Sequence, residues 1–355
     1  MRDDLKLHFA RQAKACADYG SPFTAALIAA MAADAAAQGP VWALIKDWPA
    51  RAHADALSLR LAGALHAAAL SGREPALAAA YARVGDQTAF AEIWRLARDV
   101  LAREAAWVAD FITSPPQTNE TRRAIGLLAG FLAFAEYFSG PIDMLELGAS
   151  AGLNLHWDRF EHRTDAWVWN AGGAVKVETD WRAPAPPLRA APRIRTRAAC
   201  DQNPLDIADP HARLRLKAYI WPDQPERLAR FDAAAALAVA QGVRVDQADA
   251  AVWLADKLAA RATDGATVVY HSVFLQYPPA DTRAAIAEAM QSAGAHATPA
   301  APLAWVRFEP EGALGGPRDS DLFFVDLIVW PGGARRILLE TDGHARWFRA
   351  PAFTR

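Results

Sequence analysis

The segments 322–330 (LFFVDLIVW) and 335–340 (RRILLE) are two apolar runs of strand length joined only by Pro331-Gly332-Gly333-Ala334. Parallel neighbours need a crossover of a dozen or more residues, so this link forces an antiparallel hairpin. Upstream, the runs 142–147 (IDMLEL), 193–200 (RIRTRAAC), 243–247 (VRVDQ), 266–270 (ATVVY) and 302–308 (PLAWVRF) are also strand-like. Helical patterns at 211–240, 250–261 and 281–293 separate the earlier ones. Strands that alternate with helices build a parallel sheet with right-handed crossovers. The expectation is an α/β fold with a mostly parallel sheet of seven strands that ends in an antiparallel hairpin.

Ahead of these runs the pattern is helical. From residue 1 to about 138, Ala/Leu-rich stretches are broken at Gly20-Ser21-Pro22, Gly39-Pro40 and Ser114-Pro115-Pro116, which leaves room for five or six helices. Leu57, Leu61 and Leu65, with Leu70 near the same stripe, set one apolar helical face. After Pro116, Thr118 or Asn119 is expected to cap a helix that buries Ile125, Leu128, Leu132 and Ala135. A chain of 355 residues exceeds what one modest core supports. The change of pattern predicts an all-helical N-terminal domain over 1–116 and an α/β domain over 117–355. Within the latter, about 163–190 is an expected insertion: a hairpin around Gly172-Gly173, rich in Trp167, Trp169 and Trp181, then a proline-rich connector. It reads as a lid or as an edge of the sheet, the edge being favoured.

Apolar residues make up 53% of the chain and charged ones 22%, a balance that predicts folding throughout. The formal net charge of −2 supplies no global field, and no basic stripe interleaved with aromatics occurs, so neither nucleic acid nor an anionic membrane surface is an expected partner. Cys16 and Cys200 stand far apart and outside any Cys/His cluster. That argues against a disulfide framework or a structural zinc site, with no metal expected, and suits a reducing cytoplasm. The first twenty residues carry interspersed charges where a secretory signal needs an apolar stretch, and no run reaches the length of a membrane span, so a soluble protein is expected.

The first strand ends in LELGASAGLNL (145–155). Glu146, Gly148, Ala149, Ser150 and Gly152 then occupy an expected strand-to-helix turn, where open α/β sheets bind ligands. Glycine at 148 and 152 relieves the turn of Cβ clashes and lets a ligand approach the backbone. The segment lacks both the Gly-Lys-Ser/Thr ending of a P-loop and the third glycine of GxGxxG. It resembles, with Ser150 in place of the middle glycine, the E/D-x-G-x-G-x-G loop of S-adenosylmethionine-dependent methyltransferases. With the terminal hairpin, the sheet resembles that Rossmann-like fold more than the dinucleotide-binding one, and the resemblance implies S-adenosylmethionine as cofactor.

On this comparison an acidic residue at the end of the second strand accepts hydrogen bonds from the two ribose hydroxyls. Asp201 is the candidate, and Glu178 and Asp180 are alternatives because the insertion lengthens the distance from the glycine loop. Asp249, with Ala250, stands where such proteins place an acid on the adenine amino group, and equally where a helix N-cap is needed. VVYHSVFLQYPP (268–279) brings His271, Ser272, Gln276 and Tyr277 to the mouth of the sheet, where a methyl acceptor would sit. His271, as a general base, and Tyr277 are the candidate catalytic residues, with Ser272 on the cofactor side. The order of Gln276-Tyr277-Pro278-Pro279 does not match the Asn/Asp-Pro-Pro-Tyr motif of amino-methyltransferases. Gln117, Thr118, Asn119 and Glu120, with Arg122 and Arg123, begin the helix leading into the first strand. The resemblance implies that this helix crosses the cofactor cleft and that an arginine here pairs with the methionine carboxylate. The segment 219–224 (YIWPDQ) either borders the cleft or packs a helix elbow through Trp221, the latter favoured.

With GASAGLNL, the PQTNE loop, WPDQ with its arginines and HSVFLQY together, the chain resembles over most of its length a bacterial family of uncharacterised proteins with a methyltransferase-like fold. The resemblance implies Glu146, Gly148, Ser150, Gly152, Asn154, His271 and residues 117–120 as site residues, and implies no substrate. Two functions follow. One is an S-adenosylmethionine-dependent methyltransferase acting on a small molecule, with the helical domain covering the acceptor site. The other is a non-catalytic relative that binds another adenosine-containing ligand, or a protein partner through the helical part.

Overall fold

The structure, a computed structural model, describes residues 1–49 and 52–352. It divides into two compact units: Met1–Thr118 with Ala208–Phe231, and Asn119–Ile207 with Asp232–Arg355.

The helical unit opens with α1 (Asp3–Asp18), α2 (Pro22–Ala36), α3 (Pro40–Ile45), α4 (Leu57–Leu70), α5 (Pro75–Tyr81), α6 (Phe90–Arg103) and α7 (Ala105–Phe111). Proline begins α2, α3 and α5, where its missing N–H costs nothing, and the Ser21 hydroxyl caps α2 by accepting from the Thr24 amide. Leu57, Leu61 and Leu65 are buried as their spacing predicts, whereas Leu70 is 37% exposed. At 3.6 residues per turn, residue 70 comes round to roughly the opposite side of the helix from residue 57.

The α/β unit begins with a single 3-10 turn (Thr121–Arg123) and α8 (Ala124–Tyr137). Glu120, rather than Thr118 or Asn119, supplies the cap by accepting from the Arg122 amide. The chain continues through β1 (Pro141–Leu147), β2 (Phe160–Arg163), β3 (Val168–Trp169), β4 (Val175–Glu178), β5 (Asp180–Arg182) and β6 (Arg193–Asp201). Next come α9 (Pro210–Ala218), α10 (Pro225–Ala240), β7 (Asp246–Gln247), α11 (Ala250–Ala259), β8 (Ala266–Ser272) and α12 (Ala280–Ala295). The chain ends with β9 (Leu303–Pro310), β10 (Phe323–Trp330), β11 (Ala334–Thr341) and β12 (Trp347–Arg349). Among the described residues the first stretch to Tyr137 holds α1 to α8, more than the five or six helices expected, because Glu74-Pro75 and Glu104 introduce further breaks.

Residues 208–231, which the sequence assigns to the α/β part, pack within the helical unit. Tyr219 lies where a side chain on Gly63 of α4 would stand, His66 Nδ1 meets the Ala218 carbonyl at 3.2 Å, and the Arg215 guanidinium lies over the Phe111 ring. Asp223 of the WPDQ segment accepts from the Ser21 hydroxyl and the Phe23 amide at the start of α2, and Gln224 donates to the Tyr19 carbonyl. The elbow reading of this segment holds, and its polar residues anchor helices.

Among the described residues the main sheet has nine strands, in the order β5-β12-β11-β10-β9-β8-β1-β6-β7. All seven expected strands belong to it, and β10 and β11 form the expected antiparallel hairpin. Two differences depart from the seven-stranded expectation, one in strand direction and one in strand number. The link from β9 to β10 is a 3-10 turn (Glu311–Leu314) and loop without a crossover helix, so β10 is also antiparallel to β9. Beyond β11, β12 pairs antiparallel, and β5 from the insertion adds a parallel edge strand. The sheet is mostly parallel across β9-β8-β1-β6-β7.

One face of the sheet buries Leu145, Leu147, Val269, Leu303 and Trp305 with Trp253 and Leu254 of α11 and Ile286 and Met290 of α12. Against the other lies α8, whose Gly126 and Gly130 admit Val325, Phe308 and Val306 at contact distance. The insertion is not a hairpin: β3 and β4 flank β2, one antiparallel and one parallel. A Cβ on Gly173 would meet the β2 backbone, so the chain crosses there through glycine. Trp167 and Trp181 are buried, with ring centroids 5.0 Å apart, which makes this region part of the packed edge. No helix of the described residues is long and apolar enough to cross a membrane.

Candidate functional site

The strand order runs from β1 to β6 and β7 on one side, and to β8 and β9 on the other. The order therefore reverses between β1 and β8, and the carboxyl ends beside that point are where open α/β sheets form a ligand crevice. There β1 enters a turn in which Gly148 (φ +67°), Ser150 (φ +56°) and Gly152 (φ +70°) are all left-handed. Alternating left-handed residues exclude a right-handed helix within 148–152, and the helix expected after the glycine turn does not form before β2. Residues 149–156 are successive turns closed by bonds such as Gly152 N to Ala149 O and Leu155 N to Gly152 O. The parallel crossover to β6 is made through the small β2–β4 sheet instead.

This turn is fastened from two directions. The Asn119 Oδ1 accepts from the Ala151 amide (3.3 Å) and the Leu153 amide (3.1 Å), and Asn154 Nδ2 donates to the Glu120 carbonyl (3.5 Å). From β6, the Asp201 Oδ2 accepts from the Ser150 amide (2.8 Å) while Oδ1 accepts from the Asn203 amide (2.9 Å), and Ala149 N donates to the Cys200 carbonyl. Among the three acids considered for the end of the second strand, Asp201 is the one at the carboxyl edge of β6, next to the turn. Glu178 lies in the small sheet, and Asp180 sits on the far edge strand, paired with Arg182. Asp249 caps α11, its Oδ1 accepting from the Ala251 (2.9 Å) and Val252 (3.2 Å) amides, with Ala250 as the first helical residue. Burial pushes the Cys200 thiol up to about 12, which keeps it unreactive.

Glu146 is only 2% exposed. It is buried opposite Tyr270 of β8, whose hydroxyl donates to its Oε2 at 3.0 Å. Burial pushes the carboxyl up to about 8; the Tyr270 bond works against that shift and the Asp201 charge adds to it. Glu146 is therefore a neutral, structural acid near pH 7. His271 is 0% exposed, and both ring nitrogens are engaged: Nδ1 with Glu309 Oε1 at 2.6 Å, and Nε2 accepting from the Trp305 indole N–H at 3.0 Å. With Trp305 donating to Nε2, the proton sits on Nδ1 toward Glu309, and no nitrogen is left to act as a general base. This corrects the catalytic expectation for His271. Tyr277 is 73% exposed on the following turn, and its amide closes that turn on the Phe274 carbonyl. Ser272 ends β8 half-buried, its carbonyl within 3.5 Å of Arg123 Nη1. Arg123 Nε also donates to the Gly343 carbonyl (3.0 Å), so this guanidinium joins the end of β8 to the segment that follows β11. Arg122 is half-buried beside it, whereas Gln117 and Thr118 belong to the helical unit.

Sequence reasoning missed Glu309 and Phe274. The Glu309 carboxylate accepts from His271, from the Phe274 amide (Oε1, 2.8 Å) and from the Leu275 amide (Oε2, 3.2 Å). It thereby sets the turn after β8, in which Val273 is left-handed (φ +57°). The Phe274 ring lies over Gly148, where a Cβ would run into it, and a Cβ on Gly152 would stand 2.6 Å from Val243 Cγ1. The glycines of the turn thus admit protein side chains. Two buried polar atoms beside them, Ser150 Oγ and Asn154 Oδ1, have no hydrogen-bond partner. Among the described residues no group of three or more His, Cys, Asp and Glu side chains is gathered as a metal ion requires.

Fold and site together define a two-unit α/β protein with a glycine turn at the reversal of its strand order. The chain belongs to the bacterial family described as "Uncharacterized protein conserved in bacteria (DUF2332)", which it matches over residues 6–350. No curated protein and no solved structure matches it.

Proposed function

We propose that this protein is of the S-adenosylmethionine-dependent methyltransferase type, binding the cofactor at the carboxyl ends of β1 and β6 and methylating a small-molecule acceptor. The observation that carries this reading is the left-handed turn at 148–152, at the point of strand reversal and bonded to an acid, Asp201, at the end of the adjacent strand. The residues present fit such a ligand. Each Asp201 oxygen accepts from one backbone amide and keeps lone-pair capacity for a vicinal diol, and Ser150 Oγ and Asn154 Oδ1 are buried polar atoms that need a partner.

When bound, S-adenosylmethionine supplies a methyl group on a sulfonium, already a good leaving group. The protein's part is then mainly alignment and exclusion of water. Asn119 and Asp201 hold the turn's backbone in place, Arg123 ties the end of β8 to the segment after β11, Ser272 stands on the cofactor side and Tyr277 on the acceptor side. The engaged nitrogens of His271 agree with a reaction that needs little acid–base machinery.

A second reading, a non-catalytic relative, draws support from Phe274 and Val243 packed on the two glycines. Isothermal titration of the full chain with S-adenosylmethionine and S-adenosylhomocysteine separates the readings. The first requires saturable binding that Asp201→Ala abolishes. Absence of binding of either compound at millimolar levels would sink it.

A further inference from the structure

We propose that Phe274 is a gate on the glycine turn: it is seated on Gly148 in the closed state, is held there by Glu309, and must swing away for an adenosyl ligand to reach the backbone at 148–150. The inference rests on the binding reading above for its ligand, and on the following geometry for its mechanism. Gly148 and Phe274 leave neighbouring parallel strands at the strand reversal, and the ring takes the space that makes glycine obligatory at 148.

The ring is half-buried and so has a solvent side toward which to turn, unlike the fully buried His271 and Tyr270 that precede it. Its backbone is held in a costly shape. Val273 is a β-branched residue in the left-handed region, a conformation that persists only when the surroundings impose it. What imposes it is concentrated in few groups. The Glu309 carboxylate takes the Phe274 and Leu275 amides, and the Val273 amide donates to the Phe308 carbonyl at 2.7 Å. Glu309 is itself oriented by His271, and His271 by Trp305. Glu309 is thus a positioning residue: it touches no ligand and acts through the turn that carries Phe274. Local strain held by one carboxylate and one backbone carbonyl is the arrangement expected of an element with two states of similar free energy.

Two measurements on the full chain test this. The first needs no ligand: amide exchange at residues 274–275 against 268–271 of β8, in the wild type and in Glu309→Gln. A gate exchanges at least about tenfold faster than the strand, and Glu309→Gln accelerates 274–275 about tenfold more while 268–271 stay protected. Exchange at 274–275 as slow as the strand, or a rise in both together, overturns the gate.

The second is the affinity of Phe274→Ala, with Phe274→Leu as a milder change, for S-adenosylhomocysteine. A closed state favoured about ten to one predicts about tenfold tighter binding once the ring is gone. Unchanged or weaker binding by both variants overturns the gate and leaves the ligand reading standing. Binding by none of the three proteins overturns the ligand reading, and the exchange experiment then decides the gate alone.

Discussion

Two turns leave adjacent strands of the main sheet at its point of reversal, one after β1 and one after β8, and each contains a non-glycine residue in the left-handed region, Ser150 and Val273. The turn after β1 has glycines on both sides of its strained residue and takes its hydrogen bonds from two separate side chains, Asn119 and Asp201. The turn after β8 has no glycine, and its side-chain hydrogen bonds go to one buried carboxylate, Glu309. Glycine makes the first shape intrinsically accessible, whereas the second exists only because a polar group enforces it. The first turn should therefore tolerate loss of an anchor better than the second.

Replacing Glu309 by Leu tests that contrast most strongly. It strips a buried carboxylate from His271 and two amides and should cost about 3–5 kcal/mol in chemical denaturation. A loss no greater than that of Asn119→Ala would contradict the comparison. Next in size is the pH dependence due to Glu146. Its folded value of about 8 lies above the ordinary 4.5, so between these pH values the folded protein holds one proton more than the unfolded chain. That stabilisation is fully present below about pH 4.5 and declines as pH rises through about 8, by about 1.4 kcal/mol per unit at most. Glu146→Gln, which keeps an acceptor for Tyr270, should remove this slope from stability measured across the same range; parallel curves for the two proteins would refute the assignment. Asn119→Ala leaves the Ala151 and Leu153 amides without their acceptor and should cost about 1–2 kcal/mol, with Asp201 still holding Ser150. The smallest effect is expected for Ser150→Gly, which relieves a left-handed residue and should raise stability by no more than about 1 kcal/mol in thermal unfolding. Destabilisation there would mean that the buried Ser150 hydroxyl already has a partner.

Much of this arrangement was legible in the amino-acid pattern. Short apolar runs marked all seven expected strands, the four-residue link forced the terminal hairpin, and GASAG marked the turn after β1. Asp249 was readable as a cap. Other features lay outside the reach of periodicity. The run after Gly152, LNLHW, is as apolar as a helix, yet it forms turns that lead into a 3-10 turn, and its Leu153 amide is taken by Asn119. The antiparallel entry of β10 depends on the absence of a crossover helix between two apolar runs, which a loop composition signals weakly. Glu309 follows the strand 302–308 by one residue, where an acid reads as a solvated strand end. Its pairing with His271 becomes visible only when β8 and β9 are neighbours. WPDQ stands out as a motif, but nothing local shows that Asp223 caps a helix two hundred residues earlier.

The proposed adenosyl-ligand site is formed by the left-handed turn and Asp201 together. A crystal structure of the chain grown with saturating S-adenosylhomocysteine tests it most directly. The expected result is the ligand at the carboxyl ends of β1 and β6, its ribose hydroxyls on Asp201 and its remaining polar groups reaching Ser150 and Asn154, with Phe274 displaced from Gly148. Ligand bound elsewhere, or a turn unchanged with Phe274 still seated and no ligand beside it, would rule this site out.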